Sequence, residues 1–118
     1  MAEPESDALV QTLQRWPDWV TSGIAAVECR RAMKRGRASG AVSKRAEAVL
    51  DRVTLIKVDE PVLRLASQIG SPLLRSLDAV HLATAMSMGD DPDAFVTYDD
   101  RLAVAARSLK LRVLQPGR

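Results

Sequence analysis

Apolar and polar positions fall in blocks along this chain, short β-forming runs set between longer stretches with a helical repeat. From Pro4 to about Trp16, Leu9, Leu13 and Trp16 lie at i, i+4 and i+7, which predicts a first helix ended by Pro17. Asp18-Trp19-Val20-Thr21 reads as a strand. Thr21 or Ser22 then caps a second helix over Gly23 to about Arg35, with Ile24, Val27, Arg31 and Ala32 on one face and Gly36 after it. A third helix runs from Ser39-Gly40-Ala41 to about Arg52, with Val42, Ala46, Val49 and Leu50 inward, followed by a strand over Thr54–Val58. Asp59 caps a fourth helix, with Pro61 in its first turn and Val62, Leu65, Ala66 and Ile69 inward. After the break at Gly70-Ser71-Pro72, Ser76 is the expected N-cap of a fifth helix. Its Leu77, His81, Ala85 and Met88 recur at core spacing. Gly89-Asp90-Asp91-Pro92 is a turn and Ala94–Thr97 a strand. Asp99 or Asp100 caps a last helix over Arg101–Leu109, with Leu102, Ala105, Ala106 and Leu109 inward, and Leu111–Leu114 is the closing strand.

Strands alternating with helices predict an α/β fold, a three-layer sandwich around a mainly parallel sheet. Without repeats, linkers or low-complexity segments, residues 1–118 read as one domain. The 47% hydrophobic content of 118 residues allows a real core and argues against disorder. No apolar run is long enough for a membrane span. The acidic start, Met-Ala-Glu-Pro-Glu-Ser-Asp, does not read as a secretory signal, and Cys29 alone cannot form an internal disulfide. These features favour a cytoplasmic protein.

A net charge of +2 does not mark a nucleic-acid binder. Its distribution adds something: Arg30, Arg31, Lys34, Arg35, Arg37, Lys44 and Arg45 crowd one region, either as a solvated helix face or as a footprint for phosphates. Arg31 and Arg35 follow Glu28 by three and seven residues and approach the same side of their helix, whereas Lys34 and Arg37 point elsewhere. With aromatics at 3%, base stacking is not the main binding mode, and Trp16 and Trp19 read as packing residues.

The candidate chemistry lies in acids. In a parallel sheet, functional groups gather beyond the carboxyl ends of the strands. Glu28 and Asp78 stand near helix starts, and Asp99 and Asp100 follow a strand directly, so these acids can meet at one edge. Asp78 is either a first-turn acid favoured by the helix dipole or a ligand. Carboxylates without His or Cys partners suit a hard cation, Mg²⁺ or Mn²⁺, and with it hydrolysis of a phosphodiester. His81, one turn from Asp78, either orients a carboxylate or water or, as the favoured reading, is a satisfied structural group. The strand-end acids taken alone also allow a receiver-like phospho-acceptor, a scheme that leaves Asp78 without a role.

Val27-Glu28, the run Ser76-Leu77-Asp78-Ala79-Val80-His81-Leu82-Ala83-Thr84-Ala85, and Phe95-Val96-Thr97-Tyr98-Asp99 closely resemble PIN domains of the VapC toxin type, with the likeness running from Glu3 to the C-terminus. The resemblance implies a Mg²⁺-dependent endoribonuclease toxin with a parallel central sheet. It also implies a homodimer and silencing by a cognate VapB-type antitoxin. Matched by position, Asp78 is a direct metal ligand, and Glu28 and Asp99 complete a catalytic site directly or through metal-bound water. Thr97 steadies the loop, and Asp100 caps the last helix. One departure stands out: the family opens with a central strand ending in an Asp, and this sequence begins where members have already entered their first helix. Three readings follow. The natural protein starts upstream, which is the favoured one; a neighbour lends a strand; or the chain is an inactive PIN-fold module that binds RNA or an antitoxin.

Overall fold

The computed structural model of the chain describes residues 5–118. In chain order the elements are α1 (Ser6–Leu13), β1 (Trp19–Ser22), α2 (Gly23–Arg35), α3 (Gly40–Arg52), β2 (Val53–Ile56), α4 (Glu60–Gln68), α5 (Ser76–Ser87), β3 (Phe95–Val96), α6 (Asp100–Ser108) and β4 (Val113–Leu114). The predicted alternation is therefore present and the fold is α/β. Pro4 of the expected first helix lies outside the described residues.

Local chemistry explains most of the boundaries. The Ser39 hydroxyl accepts from the Val42 amide and the Asp59 carboxylate from the Val62 amide, so α3 and α4 begin where their caps place them. Two expected caps move. The residue before α5 is Arg75, in an extended conformation and with no side-chain cap bond, so Ser76 is the first helical residue and Asp78 sits in the first turn. Asp99, not Asp100, caps α6: its Oδ1 accepts from the Arg101 amide at 2.9 Å and the Leu102 amide at 3.0 Å. Asp99 wins because its backbone is extended (φ −79°, ψ 116°), which aims the side chain back at the free amides, while Asp100 is already helical.

All strand pairing is parallel, but the expected single central sheet is not formed by the described residues. β1 pairs with β2 in the register Trp19↔Val53 to Ser22↔Ile56, and β3 pairs with β4 in the register Phe95↔Val113 and Val96↔Leu114. These are two separate two-stranded sheets. Helix α5 joins them, packing on β1 and α4 on one side and on α6 on the other. The core centres on Leu82, Leu102, Ala105 and Ala106, with Ile69, Leu74, Met86, Phe95, Leu111 and Val113 packed against it.

The central position of α5 overturns its expected face. Ala79, Val80, Leu82, Ala83 and Thr84 are all buried, so the helix is enclosed on more than one side, while Leu77 is 47% exposed. Small residues let neighbours approach from several directions, and an enclosed helix carries no single apolar stripe. At the periphery the expectation fails in the opposite sense. No residue of α3 is buried, and Val42, Val49, Val27 of α2 and Leu109 at the end of α6 are exposed.

The chain end folds back on α1. The Tyr98 hydroxyl donates to the Pro116 carbonyl at 2.7 Å, and Gly117 adopts φ +87° beside Glu5, where a Cβ would come within 3.1 Å of the Glu5 Cα. Glycine is needed there for both reasons.

Candidate active site

Two helix starts converge on one polar pocket. Asp78 comes from the first turn of α5 and is half-buried; Asp99 and Asp100 are the cap and the first residue of α6 and are exposed. With Leu73, Arg75 and Arg101 they line a cavity of about 360 Å³. The amino ends of both helices contribute partial positive charge here, which steadies carboxylates and favours phosphate oxygens. Thr97 takes its expected part: its Oγ1 accepts from the Asp99 amide at 3.1 Å and so fixes the turn that presents Asp99. Because the Asp99 Oδ1 is engaged in capping, Oδ2 is the oxygen left for a ligand.

Glu28 is placed differently from the expectation that it joins these acids. It does not line this pocket; it stands one helical turn further along α5, opposite His81. The His81 Nε2 is 2.6 Å from the Glu28 Oε1, and its Nδ1 is 2.9 Å from the Ser22 Oγ. A neutral ring with its proton on Nε2 satisfies both contacts, donating to Glu28 and accepting from the Ser22 hydroxyl. Ser22 is 1% exposed, so the relay is anchored in the interior at the end of β1 and emerges at Glu28, whose side chain is 45% exposed. His81 is therefore the satisfied structural group the sequence suggested, and it orients a carboxylate.

Arg31 and Arg35 are exposed on α2 and do not line the acidic pocket. Arg30, another member of the basic cluster, is committed elsewhere: its guanidinium makes two bonds to Glu47 of α3, at 2.8 and 3.0 Å. That hydrogen bond holds the Glu47 carboxyl below the usual glutamate range and raises Arg30. The two cations that do stand beside the acids, Arg75 and Arg101, were not picked out from the sequence. Their signal was available in the pattern Arg-x-x-Asp at the start of α5 and Asp-Asp-Arg at the start of α6.

Among the described residues, no group of three or more His, Cys, Asp or Glu side chains is placed to hold a metal ion. Asp78 and Asp99 nevertheless offer the all-oxygen donor set of a hard cation. Mg²⁺ commonly keeps several waters and takes only one or two carboxylates together with substrate phosphate.

A PIN domain family model matches residues 2–108. Among curated proteins, Ribonuclease VapC46 of Mycobacterium tuberculosis is 43% identical over 116 residues, covering 98% of this chain and 87% of that protein. Ribonuclease VapC35 of the same species is 40% identical over 119 residues with the same coverage, and Ribonuclease VapC47 is 37% identical over 121 residues, covering 99% of this chain and 88% of that protein. No solved structure matches the chain.

Proposed function

The chain belongs to the PIN-domain family, among its VapC-type members, and we propose on that footing that it is a Mg²⁺-dependent endoribonuclease toxin neutralised by a cognate VapB-type antitoxin. The observation that carries the reading is the meeting of Asp78, Asp99 and Asp100 with Arg75 and Arg101 at the amino ends of α5 and α6.

In this reading Asp78 and the free oxygen of Asp99 would hold the cation. A bound divalent ion would supply activation of water and compensation of charge on the phosphodiester. The protein does the rest. Arg75 and Arg101 take the phosphate oxygens of the RNA, a role suited to the planar guanidinium fork. Thr97 holds the Asp99 loop. His81, backed by Ser22, fixes the Glu28 carboxylate one helical turn along α5 from Asp78. Arg31 and Arg35 meet the RNA backbone beyond the pocket. Homodimerisation and a cytoplasmic location belong to the same proposal; among the described residues, no helix is long and apolar enough to cross a membrane.

One observation favours a second reading. Because no three acids are grouped for a metal among the described residues, the chain also fits a PIN-fold module that binds RNA or antitoxin without cutting. Cleavage of total RNA separates the two. The nuclease reading expects Mg²⁺-dependent cleavage that is lost with a chelator, with Asp78→Asn and with Glu28→Gln. A folded chain that binds RNA but cuts none under any of these conditions is the module.

A further inference from the structure

Gln115-Pro116-Gly117-Arg118 closes a tight turn, in which the Arg118 amide donates to the Gln115 carbonyl at 3.0 Å. Proline at its second position and glycine at its third, with φ +87°, are the residues a type II turn calls for. The turn returns Arg118 to the loop that carries Asp99. There its Nη1 donates to the Tyr98 carbonyl at 3.1 Å, and its guanidinium lies 5.2 Å from the centre of the Tyr98 ring. The Tyr98 hydroxyl closes the clasp from the other side, donating to the Pro116 carbonyl at 2.7 Å. The Arg118 Nε, 3.5 Å from the Glu5 Oε1, ties the clasp to the residue before α1.

What the clasp holds is one peptide unit. The Tyr98 carbonyl and the Asp99 amide belong to the same planar group. Arg118 donates to its oxygen, and the Thr97 Oγ1 accepts from its N–H at 3.1 Å. Fixing both polar atoms fixes the plane, and the plane sets where the Asp99 side chain begins. The Asp99 Oδ1 is already bound to the Arg101 and Leu102 amides, so the direction left to Oδ2 follows from that frame. Asp99 lines the acidic pocket, whereas Tyr98 and Arg118 do not. They reach the pocket only through Asp99.

We propose that Tyr98 and Arg118 are positioning residues of the acidic site, which lock the Tyr98–Asp99 peptide so that Asp99 and Asp78 are presented together to a divalent cation. The proposal rests on the assignment of that cation to Asp78 and Asp99. Its physical basis is order established in advance: a carboxylate on an exposed loop loses freedom when it takes a ligand, and a loop already held has less to lose.

The test has a sign. Mn²⁺ serves as the probe, titrated into the full chain and followed by loss of the free-ion EPR signal. Arg118→Gln removes a positive charge close to Asp99, so electrostatics alone would tighten binding. The clasp predicts the opposite, a Kd raised by about threefold or more, the order expected of one lost hydrogen bond. Tyr98→Phe, which keeps the ring and loses the hydroxyl, should raise it comparably. Because both act through one peptide, the double variant should weaken binding by less than the product of the two. In the metal-free chain the Asp99 amide should exchange faster in both variants while the α5 amides keep their wild-type rates, which separates a loosened loop from a loosened fold. A Kd unchanged in both variants or lowered in Arg118→Gln overturns the proposal, and so does an Asp99 amide that exchanges at the wild-type rate. Asp78→Asn tells the two readings apart. Mn²⁺ binding that survives it overturns the site assignment and this proposal together; binding that requires Asp78 but is indifferent to Tyr98 and Arg118 overturns this proposal alone.

Discussion

Asp99 does two jobs with two oxygens, and substitution can separate them. Asparagine caps a helix about as well as aspartate but carries no charge. Asp99→Asn should therefore keep the melting temperature within a degree or two while abolishing RNA cleavage. Asp99→Ala should lose the cap as well, at about 1 kcal/mol in urea unfolding. Equal activity in wild type and Asp99→Asn would remove Asp99 from the site. Ser22 makes the opposite case, an interior residue with a consequence at the surface. Ser22→Ala leaves the His81 Nδ1 without its donor, and a part-buried group that loses its partner costs about 1–3 kcal/mol. Urea unfolding should register that loss. If His81 orients Glu28 through this bond, cleavage should fall in kcat more than in KM, and His81→Gln, which retains a donor, should recover part of it.

At the level of elements, α5 decides the structure. It joins the two sheets and places Asp78 and His81 from one rigid rod. Leu82, fully buried at its centre, packs with Leu102, Ala105 and Ala106 of α6. Leu82→Ala should destabilise the chain by about 2–5 kcal/mol, read as a lowered urea midpoint at an unchanged slope. Helices α2 and α3 are held more loosely, and the Arg30–Glu47 pair is one of their ties. Because Arg30 holds the Glu47 carboxyl below its ordinary value, the tie is present above the usual glutamate range and is lost as pH falls through and below it. Both partners are exposed, so the effect on global stability is small. Amide exchange in α2 and α3 should still quicken below the usual glutamate range relative to α5, and Glu47→Gln should remove that difference.

At the level of the whole molecule, the described chain is less compact than its length calls for. Its radius of gyration is 14.6 Å, against about 13.5 Å for a typical domain of this size. The separation of its strands into two sheets is in keeping with that difference. The acidic pocket makes a further expectation at this scale. A ligand that binds only the folded state raises its stability by mass action, by about 2.7 kcal/mol at a hundredfold excess over Kd. Mg²⁺ should therefore raise the melting temperature of the wild-type chain and leave Asp78→Asn unmoved. An equal rise in both would place the ion elsewhere.

What the sequence determined by itself is what short-range chemistry decides. The helices over 23–35 and 40–52, the cap at Asp59, and the Thr97–Asp99 turn depend on neighbours within four residues, and each formed where the pattern put it. The α/β class followed from their order, and the PIN likeness from the residues around Glu28, Asp78 and Asp99. Which face of a helix is inside is a different kind of property, because it depends on what packs against it. Leu77 and Val49 sit at core spacing yet face outward, and the small residues of α5 are enclosed because three elements meet there. Only the tertiary structure could group Asp78 with Asp99, Arg75 and Arg101 or turn Glu28 toward His81. Only it could divide the expected sheet in two. Those arrangements join residues tens of positions apart, and helix packing and strand register fix them by contacts that no local pattern encodes.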